Sequence, residues 1–230
     1  MKNSRSNLIN IILDLDSTVI NSLRPWEKQP RGLVSYEMKD EDEDQVEFIV
    51  YERPHLQEFL DYIFKNYTVA VWTAASKDYA IFIIENILLQ NKPERKLDLF
   101  LFDFHGELCE NKKISNIPCK SPKDLELVYK AFPRFNKDNT IIIDDYEAVY
   151  MPQTGNAYPI PPFNADEPDA KDDTELLKLM RKLSRDSTEE TKSSESNNAP
   201  ERTKNFPTDN LITKVTLKKA LAKAKAENYS

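Results

Sequence analysis

The chain has 230 residues, enough for one domain with a core plus appendages. Hydrophobic residues make up 40% and charged residues 31%, a balance that reads as a folded part joined to a polar, poorly folded part. The net charge of -7 argues against a dedicated nucleic-acid binder, and three glycines leave no room for a Walker or dinucleotide loop.

Leu8 to Leu13 is an Ile-rich apolar stretch that ends in a polar cluster, Asp14 to Asn21. A buried parallel strand reads this way when its carboxyl end opens into a site. Residues 24–47 look irregular, and Asp40 to Asp44 forms a solvated acidic loop. Val46 to Tyr51 reads as a strand, and Pro54 to Lys65 as a helix carrying Leu56, Phe59, Leu60 and Ile63 at helical spacing. A second buried strand, Tyr67 to Trp72, ends at Thr73-Ala74-Ala75-Ser76. A helix from Lys77 to Leu89 turns Tyr79, Ile83 and Ile87 inward, and Leu97 to Phe104 is a third strand.

Residues 105–122 read as a loop or hairpin, and Asp124 to Ala131 as a short helix. Ile141 to Ile143 is a fourth strand, ending at Asp144-Asp145. A Pro-rich connection, Met151 to Phe163, leads to a helix from Thr174 to Leu183. Strands alternating with helices point to an α/β fold with a three-layer, doubly wound parallel sheet. The domain is assigned to residues 1–183, a disordered polar linker to 184–205, and a basic helical tail to 206–230. The tail carries Leu211, Val215, Leu217 and Leu221 beside five lysines, so it is either a solvated helix or a dock for an acidic surface or nucleic acid.

Cys109 and Cys119 cannot build a four-ligand zinc site without histidine help, and His55 and His105 are the two histidines. Reduced structural thiols are the better reading, with a partial cluster at His105 and Cys109 as the alternative. Apolar runs are too short for a signal peptide or a membrane span, so the chain reads as intracellular, in cytoplasm or nucleus.

In an open parallel sheet, ligands bind at the carboxyl ends of the strands. The residues collected there are Asp14, Asp16, Thr18, Thr73, Asp144 and Asp145, with Lys123 or Lys120 just before the next helix. Carboxylates gathered at one point need a cation, and an all-oxygen set suits Mg²⁺, which also draws in a phosphoryl group. Asp14 and Asp16 lie at i and i+2, so in an extended segment they point the same way. One carboxylate can then attack phosphorus while its neighbour protonates the leaving oxygen.

These segments resemble the haloacid dehalogenase superfamily, and within it the small RNA polymerase C-terminal-domain phosphatase, or NLI-interacting-factor-like, family. Leu13 to Val19 resembles the family's Asp-Leu-Asp-Glu-Thr-Leu, with Ser17 where Glu is usual. Arg53-Pro54 with Phe59-Leu60, Val71 to Ala74 with Tyr79-Ala80, Lys123-Asp124-Leu125, Ile143-Asp144-Asp145 and Asp173 to Leu177 are similar to its other motifs.

The resemblance implies a small insert and no large cap domain. It implies a Mg²⁺-dependent protein serine/threonine phosphatase that forms an aspartyl phosphate. Carried over, Asp14 is the nucleophile and a metal ligand, Asp16 the general acid and base with a metal-binding carbonyl, and Asp145 a metal ligand. Thr73 and Ala74 bind phosphate, Lys123 stabilises the transferring group, Asp144 supports it, and Thr18 makes a structural bond across the loop. The expected partner of a monomeric enzyme is a phosphorylated protein or peptide, with the RNA polymerase C-terminal repeat as one candidate.

The loop before Lys123 offers Lys112 and Lys113 where the family places an arginine near the substrate peptide. A catalytically idle binding module is the competing reading, and a nucleotide or polynucleotide phosphatase a third.

Overall fold

The computed structural model describes residues 9–40, 44–103, 109, 119–188 and 211–212. Its centre is a six-stranded sheet built from β1 (Asn10–Leu13), β5 (Thr68–Thr73), β6 (Leu97–Phe102), β7 (Thr140–Asp144), β8 (Ala157–Pro159) and β9 (Leu211–Ile212). The spatial order is β8-β7-β1-β5-β6-β9, and every pairing is parallel. The chain winds from β1 to one side through β5 and β6, then returns to β7 on the other side of β1. The four central strands therefore deliver their carboxyl ends to one crevice, where the winding reverses.

The period of two in the strands sorts the core into two halves. Ile11, Leu13, Val69, Val71, Ile141 and Ile143 face one side, against α1 (Leu56–Asn66), α2 (Lys77–Ile83) and α5 (Glu175–Thr188). Ile12, Ala70, Trp72 and Ile142 face the other, against α3 (Leu125–Ala131) and α4 (Glu147–Tyr150). The run of Ile11, Ile12 and Leu13 is apolar without alternation because both faces are covered. Each fully buried Ile or Leu on these faces contributes about 1.5–3 kcal/mol. The fold is the three-layer α/β arrangement expected, and no large cap domain stands over the crevice among the described residues.

Four local features differ from the sequence reading. First, residues 24–47 are not irregular throughout: β3 (Ser35–Lys39) lies among them and, with β2 (Ile20–Leu23) and the expected strand β4 (Val46–Glu52), forms a separate antiparallel sheet in the order β2-β4-β3. β3 is mostly exposed and reads Ser-Tyr-Glu-Met-Lys, too polar to announce itself. Second, the helix from Lys77 is α-helical only to Ile83, and Ile84–Leu89 is a π-helix that ends at left-handed Gln90. Third, the Pro-rich connection contains β8, whose Pro159 is tolerated because β8 is an edge strand.

Fourth, Leu211 and Ile212, assigned to the tail helix, form a strand beside β6. The β6 edge of the sheet would otherwise leave backbone groups unpaired, and the backbone of Leu211–Ile212 pairs with it in parallel. Helix α5 also runs through residues 184–188, assigned to the linker, since no Gly or Pro stops it there. The rest of the linker and tail lies outside the described residues.

Candidate active site

Asp14 directly follows β1, and its amide donates to the carbonyl of Ile143 on β7. The chain then folds back on itself: the amides of Thr18 and Val19 both donate to Leu15 O, and Ser17 N donates to Ile20 O. Ser17 takes a left-handed φ of 56°, which costs a non-glycine residue about 1–3 kcal/mol. Burial of Leu15 and Val19 holds the strained turn in place.

Arg53 clamps this turn. The guanidinium is fully buried; Nη1 donates to Thr18 O and Pro161 O at 2.9 Å each. Its own amide donates to Val19 O. Thr18, also fully buried, donates its hydroxyl to Asp145 Oδ1 at 2.8 Å and accepts the Asp145 amide at 3.2 Å. The bond foreseen for Thr18 across the loop thus runs from β1's turn to the end of β7.

Lys123 Nζ lies 2.6 Å from Asp14 Oδ1 and 2.7 Å from Asp144 Oδ2. The lysine arrives from a short turn in which Ser121 Oγ accepts the Lys123 amide. Asp124 caps α3, its side chain accepting from Glu126 N and Lys120 N. Gln153 spends its side-chain amide on the same turn, donating to Lys123 O and Val149 O and accepting from Leu125 N. Lys120, the alternative lysine, is exposed.

Burial works against the Lys123 charge, but Asp14 and Asp144 outweigh it and hold the ammonium above its ordinary pKa. Burial and the Asp14 charge push Asp144 up, with Lys123 opposing. Burial also raises Asp145, against its Thr18 bond.

Asp16 turns away from the lysine. Its carboxylate accepts from Tyr79 OH at 2.6 Å, and Tyr79 OH also bonds to Ser22 Oγ. Burial raises the Asp16 carboxyl to about 6, and the Tyr79 bond moderates the rise. Burial and the Asp16 charge push the Tyr79 hydroxyl upward, so it stays a proton-bearing donor.

All of this surrounds one cavity of about 550 Å³ lined by Asp14, Asp16, Thr73, Lys123, Asp145 and Tyr146. Ala74 and Ala75 lie on its wall just past β5, and Thr73 Oγ1 accepts the Ala75 amide. The structure therefore brings Asp14, Asp16, Thr18, Thr73, Ala74, Lys123, Asp144 and Asp145 to one end of the sheet. It adds Tyr79, Gln153, Asp103 and Tyr146. Asp103 follows β6 and donates its amide to Thr73 O. It ends its strand just as Asp14 ends β1, a signal lost when the apolar run was read through to Phe104.

Carboxylate oxygens of Asp14, Asp144 and Asp145 fall within 4.8 Å of one another. An all-oxygen, acidic donor set of this kind fits a hard divalent cation. Both Asp144 oxygens are engaged, Oδ2 by Lys123 and Oδ1 by the Tyr146 amide. Asp14 and Asp145 are thus the carboxylates better placed to hold an ion.

The two cysteines are free and half-buried against the α3 side of the core. Burial and the adjacent Cys119 push the Cys109 thiol up, which suits a reduced structural residue. His105, Lys112 and Lys113 lie outside the described residues.

Residues 9–194 match the family described as NLI interacting factor-like phosphatase. A CTD phosphatase-like protein, 355R, of Invertebrate iridescent virus 3 is 40% identical over 191 residues, covering 80% of this chain and 98% of that protein. Its counterpart in Invertebrate iridescent virus 6 is 41% identical over 181 residues, covering 76% and 97%. Among solved structures, fission yeast RNA polymerase II CTD phosphatase Fcp1-R271A bound to beryllium fluoride aligns with a TM-score of 0.46 at 17% identity. The alignment covers 82% of this chain and 53% of that one.

Proposed function

The chain belongs to the NLI interacting factor-like phosphatase family, and on that premise we propose that it hydrolyses phosphoserine and phosphothreonine in proteins through an aspartyl phosphate. It is a phosphatase of the CTD phosphatase-like group. The observation that carries the finer reading is the position of Lys123 Nζ between Asp14 and Asp144, with the Asp16 carboxyl held apart by Tyr79 in the same cavity.

Asp14 Oδ2 is the nucleophile. Its Oδ1 is engaged by Lys123, whereas Oδ2 meets only a long 3.5 Å contact from Thr18. Attack forms the Asp14–phosphorus bond and breaks the bond to the seryl or threonyl oxygen. Asp16, with its carboxyl raised to about 6, gives its proton to that oxygen. Asp16 then takes a proton from water, which attacks phosphorus, releases inorganic phosphate and restores Asp14. The Lys123 ammonium and the Thr73 and Ala74 segment bind the phosphoryl oxygens.

Asp14, Asp145 and the Asp16 carbonyl would hold Mg²⁺, which supplies charge neutralisation of the phosphate. Separate duties for Asp14 and Asp16 follow from their surroundings: one is pinned by a cation, the other by a neutral donor.

No large domain covers the crevice among the described residues, which suits a peptide substrate, and the RNA polymerase C-terminal repeat is one candidate. No helix among the described residues is long and apolar enough to cross a membrane. We place the enzyme in cytoplasm or nucleus as a monomer.

Purified protein with Mg²⁺ should hydrolyse para-nitrophenyl phosphate and release phosphate from phosphoserine peptides. Asp14→Asn should abolish both, and a chelator should do so reversibly. Rapid acid quench should trap phosphate on the protein, absent from Asp14→Asn. No turnover with Mg²⁺ between mildly acidic and neutral pH would overturn this reading in favour of an idle binding module.

A further inference from the structure

The cavity has two chemically distinct zones. Its floor is acidic, with Asp14, Asp16, Asp103 and Asp145 around Lys123. Beside Ser17 and Thr73, the rest of its lining is largely apolar: Trp72, Ala74, Ala75, Pro122, Val149 and Tyr146. The mechanism above uses the floor and leaves Tyr146 without a task.

Tyr146 is unusual in three respects. It is 59% exposed, although it lies only two residues past the buried end of β7. Its amide donates to Asp144 Oδ1 at 2.9 Å, so its backbone is tied to the same carboxylate that holds Lys123. It is also the N-cap of α4, and its carbonyl accepts the amide of Val149, a buried residue that lines the cavity. The backbone of Tyr146 is therefore fixed beside the cavity while its side chain stays largely open to solvent. A single exposed aromatic on an ordinary surface needs no explanation. This one lines the same cavity as Asp14, together with Ala74, Ala75, Pro122 and Val149, which offers a contact to a residue that flanks a phosphoserine seated at Asp14.

We infer that Tyr146 is a specificity-determining residue that reads the side chain flanking the phosphorylated residue and favours an aliphatic or aromatic one. The inference rests on the phosphopeptide reading of the site and narrows its substrate class. The ring supplies apolar area at low entropic cost, having few rotatable bonds. An acidic flanking residue gains nothing from the ring and meets the acidic floor. The apolar flank and the phosphate thus bind to different zones of one cavity, and the ring adds to substrate binding rather than to the chemical step.

The test uses the full chain with Mg²⁺ and three matched phosphoserine peptides, flanked on both sides by leucine, glycine or aspartate. Wild-type kcat/KM should favour the leucine peptide over the glycine peptide by about tenfold, in the range one apolar contact provides. In Tyr146→Ala that preference should fall to about twofold or less, through a raised KM for the leucine peptide. Tyr146→Phe should retain it, and the thermal midpoints of both variants should match wild type.

Equal wild-type rates on leucine and glycine peptides overturn the inference. So does a Tyr146→Ala enzyme that keeps the preference or loses rate on all peptides alike. Preference for the aspartate peptide overturns it in favour of a basic reader such as exposed Lys120. If wild type turns over neither peptides nor para-nitrophenyl phosphate, the phosphatase reading itself falls, and this inference with it.

Discussion

Arg53 donates from Nε and Nη2 to the two carboxylate oxygens of Asp173, at 3.1 and 2.8 Å. The same Asp173 oxygen that meets Nε also accepts the amide of Glu175 at the start of α5. One guanidinium therefore ties three parts together: the turn after Asp14, the Pro161 segment and the last helix. Its ring contact with Phe163 adds a fourth.

A lysine cannot reproduce this fork, because it offers one nitrogen where Arg53 uses three. Arg53→Lys should leave buried carbonyls and a part-buried carboxylate short of donors. Removing one partner of a buried pair costs about 3–5 kcal/mol. Urea unfolding should show that loss, and Asp173→Asn should lose less because its amide still accepts. If Arg53→Lys unfolds at the wild-type midpoint, the clamp carries no weight in stability.

Thr18 acts at the other end of the clamp. Its hydroxyl donates to Asp145 and its oxygen accepts the Asp145 amide. Thr18→Val removes both bonds while keeping the shape, and frees Asp145 to turn. Loss of a group that orients a metal ligand typically weakens metal binding by about 10–100-fold. The Mg²⁺ concentration for half-maximal activity should rise by about that factor in Thr18→Val. Thr18→Ser should stay near wild type. An unchanged Mg²⁺ requirement in Thr18→Val would remove Asp145 from the ligand set.

How far these relationships were legible from sequence depends on their range. Asp14 and Asp144 could be found because each closes an apolar run, and chain-local pattern marks the carboxyl end of a buried strand. Tyr79 was also found, but as core. Its helical spacing with Ile83 is real, and it is only 7% exposed. The hydroxyl that reaches Asp16, 63 residues earlier, leaves no trace in periodicity.

Gln153 was invisible for a related reason. It falls in a Pro-rich connection, at φ -137° and ψ 38°, and its worth lies in two bonds to the distant Lys123 turn beside a local one to Val149. β2 and β3, the partners of the expected strand β4, escaped because they are half-exposed or more, so neither a clean alternation nor a continuous apolar run survives. The choice between Lys123 and Lys120 was a matter of one helical start. Asp124 as cap of α3 leaves Lys123 in the cavity and Lys120 in solvent.

Lys123 keeps two acids compatible at the floor. Lys123→Met leaves Asp14 and Asp144 facing each other in a buried place. In metal-free protein this should cost about 3–5 kcal/mol near neutral pH. The sign of its pH dependence is fixed by Asp144. That carboxyl already sits above its ordinary value, through burial and the Asp14 charge, and losing Lys123 removes an influence that lowers it. The native chain then binds the proton before the unfolded chain does, so acidification favours the native state through this group. The stability deficit of Lys123→Met should shrink from about pH 7.5 to about pH 5.5, and Mg²⁺ should reduce it at the higher pH. A deficit that grows on acidification would contradict the pairing.

Tyr79 sets where Asp16 titrates. Burial and the Asp14 charge raise the Asp16 carboxyl to about 6, and the Tyr79 bond pulls the other way by favouring the ionised form. Donation of the first proton requires protonated Asp16, so kcat should fall as pH rises through the Asp16 pKa. Activation of water requires ionised Asp16, so kcat should also fall on the acid side. Tyr79→Phe removes the donor and raises the pKa further. A hydrogen bond to a charged group contributes about 1.5–3 kcal/mol, equivalent to about one to two pKa units. The whole bell of kcat against pH should therefore move upward by about one unit in Tyr79→Phe at saturating Mg²⁺. Ser22→Ala keeps the Tyr79 bond to Asp16 and should move it far less. Para-nitrophenyl phosphate turnover from about pH 5 to about pH 8.5 reads both limbs. A Tyr79→Phe profile lowered in height but fixed in position would mean that the hydroxyl orients Asp16 without tuning it.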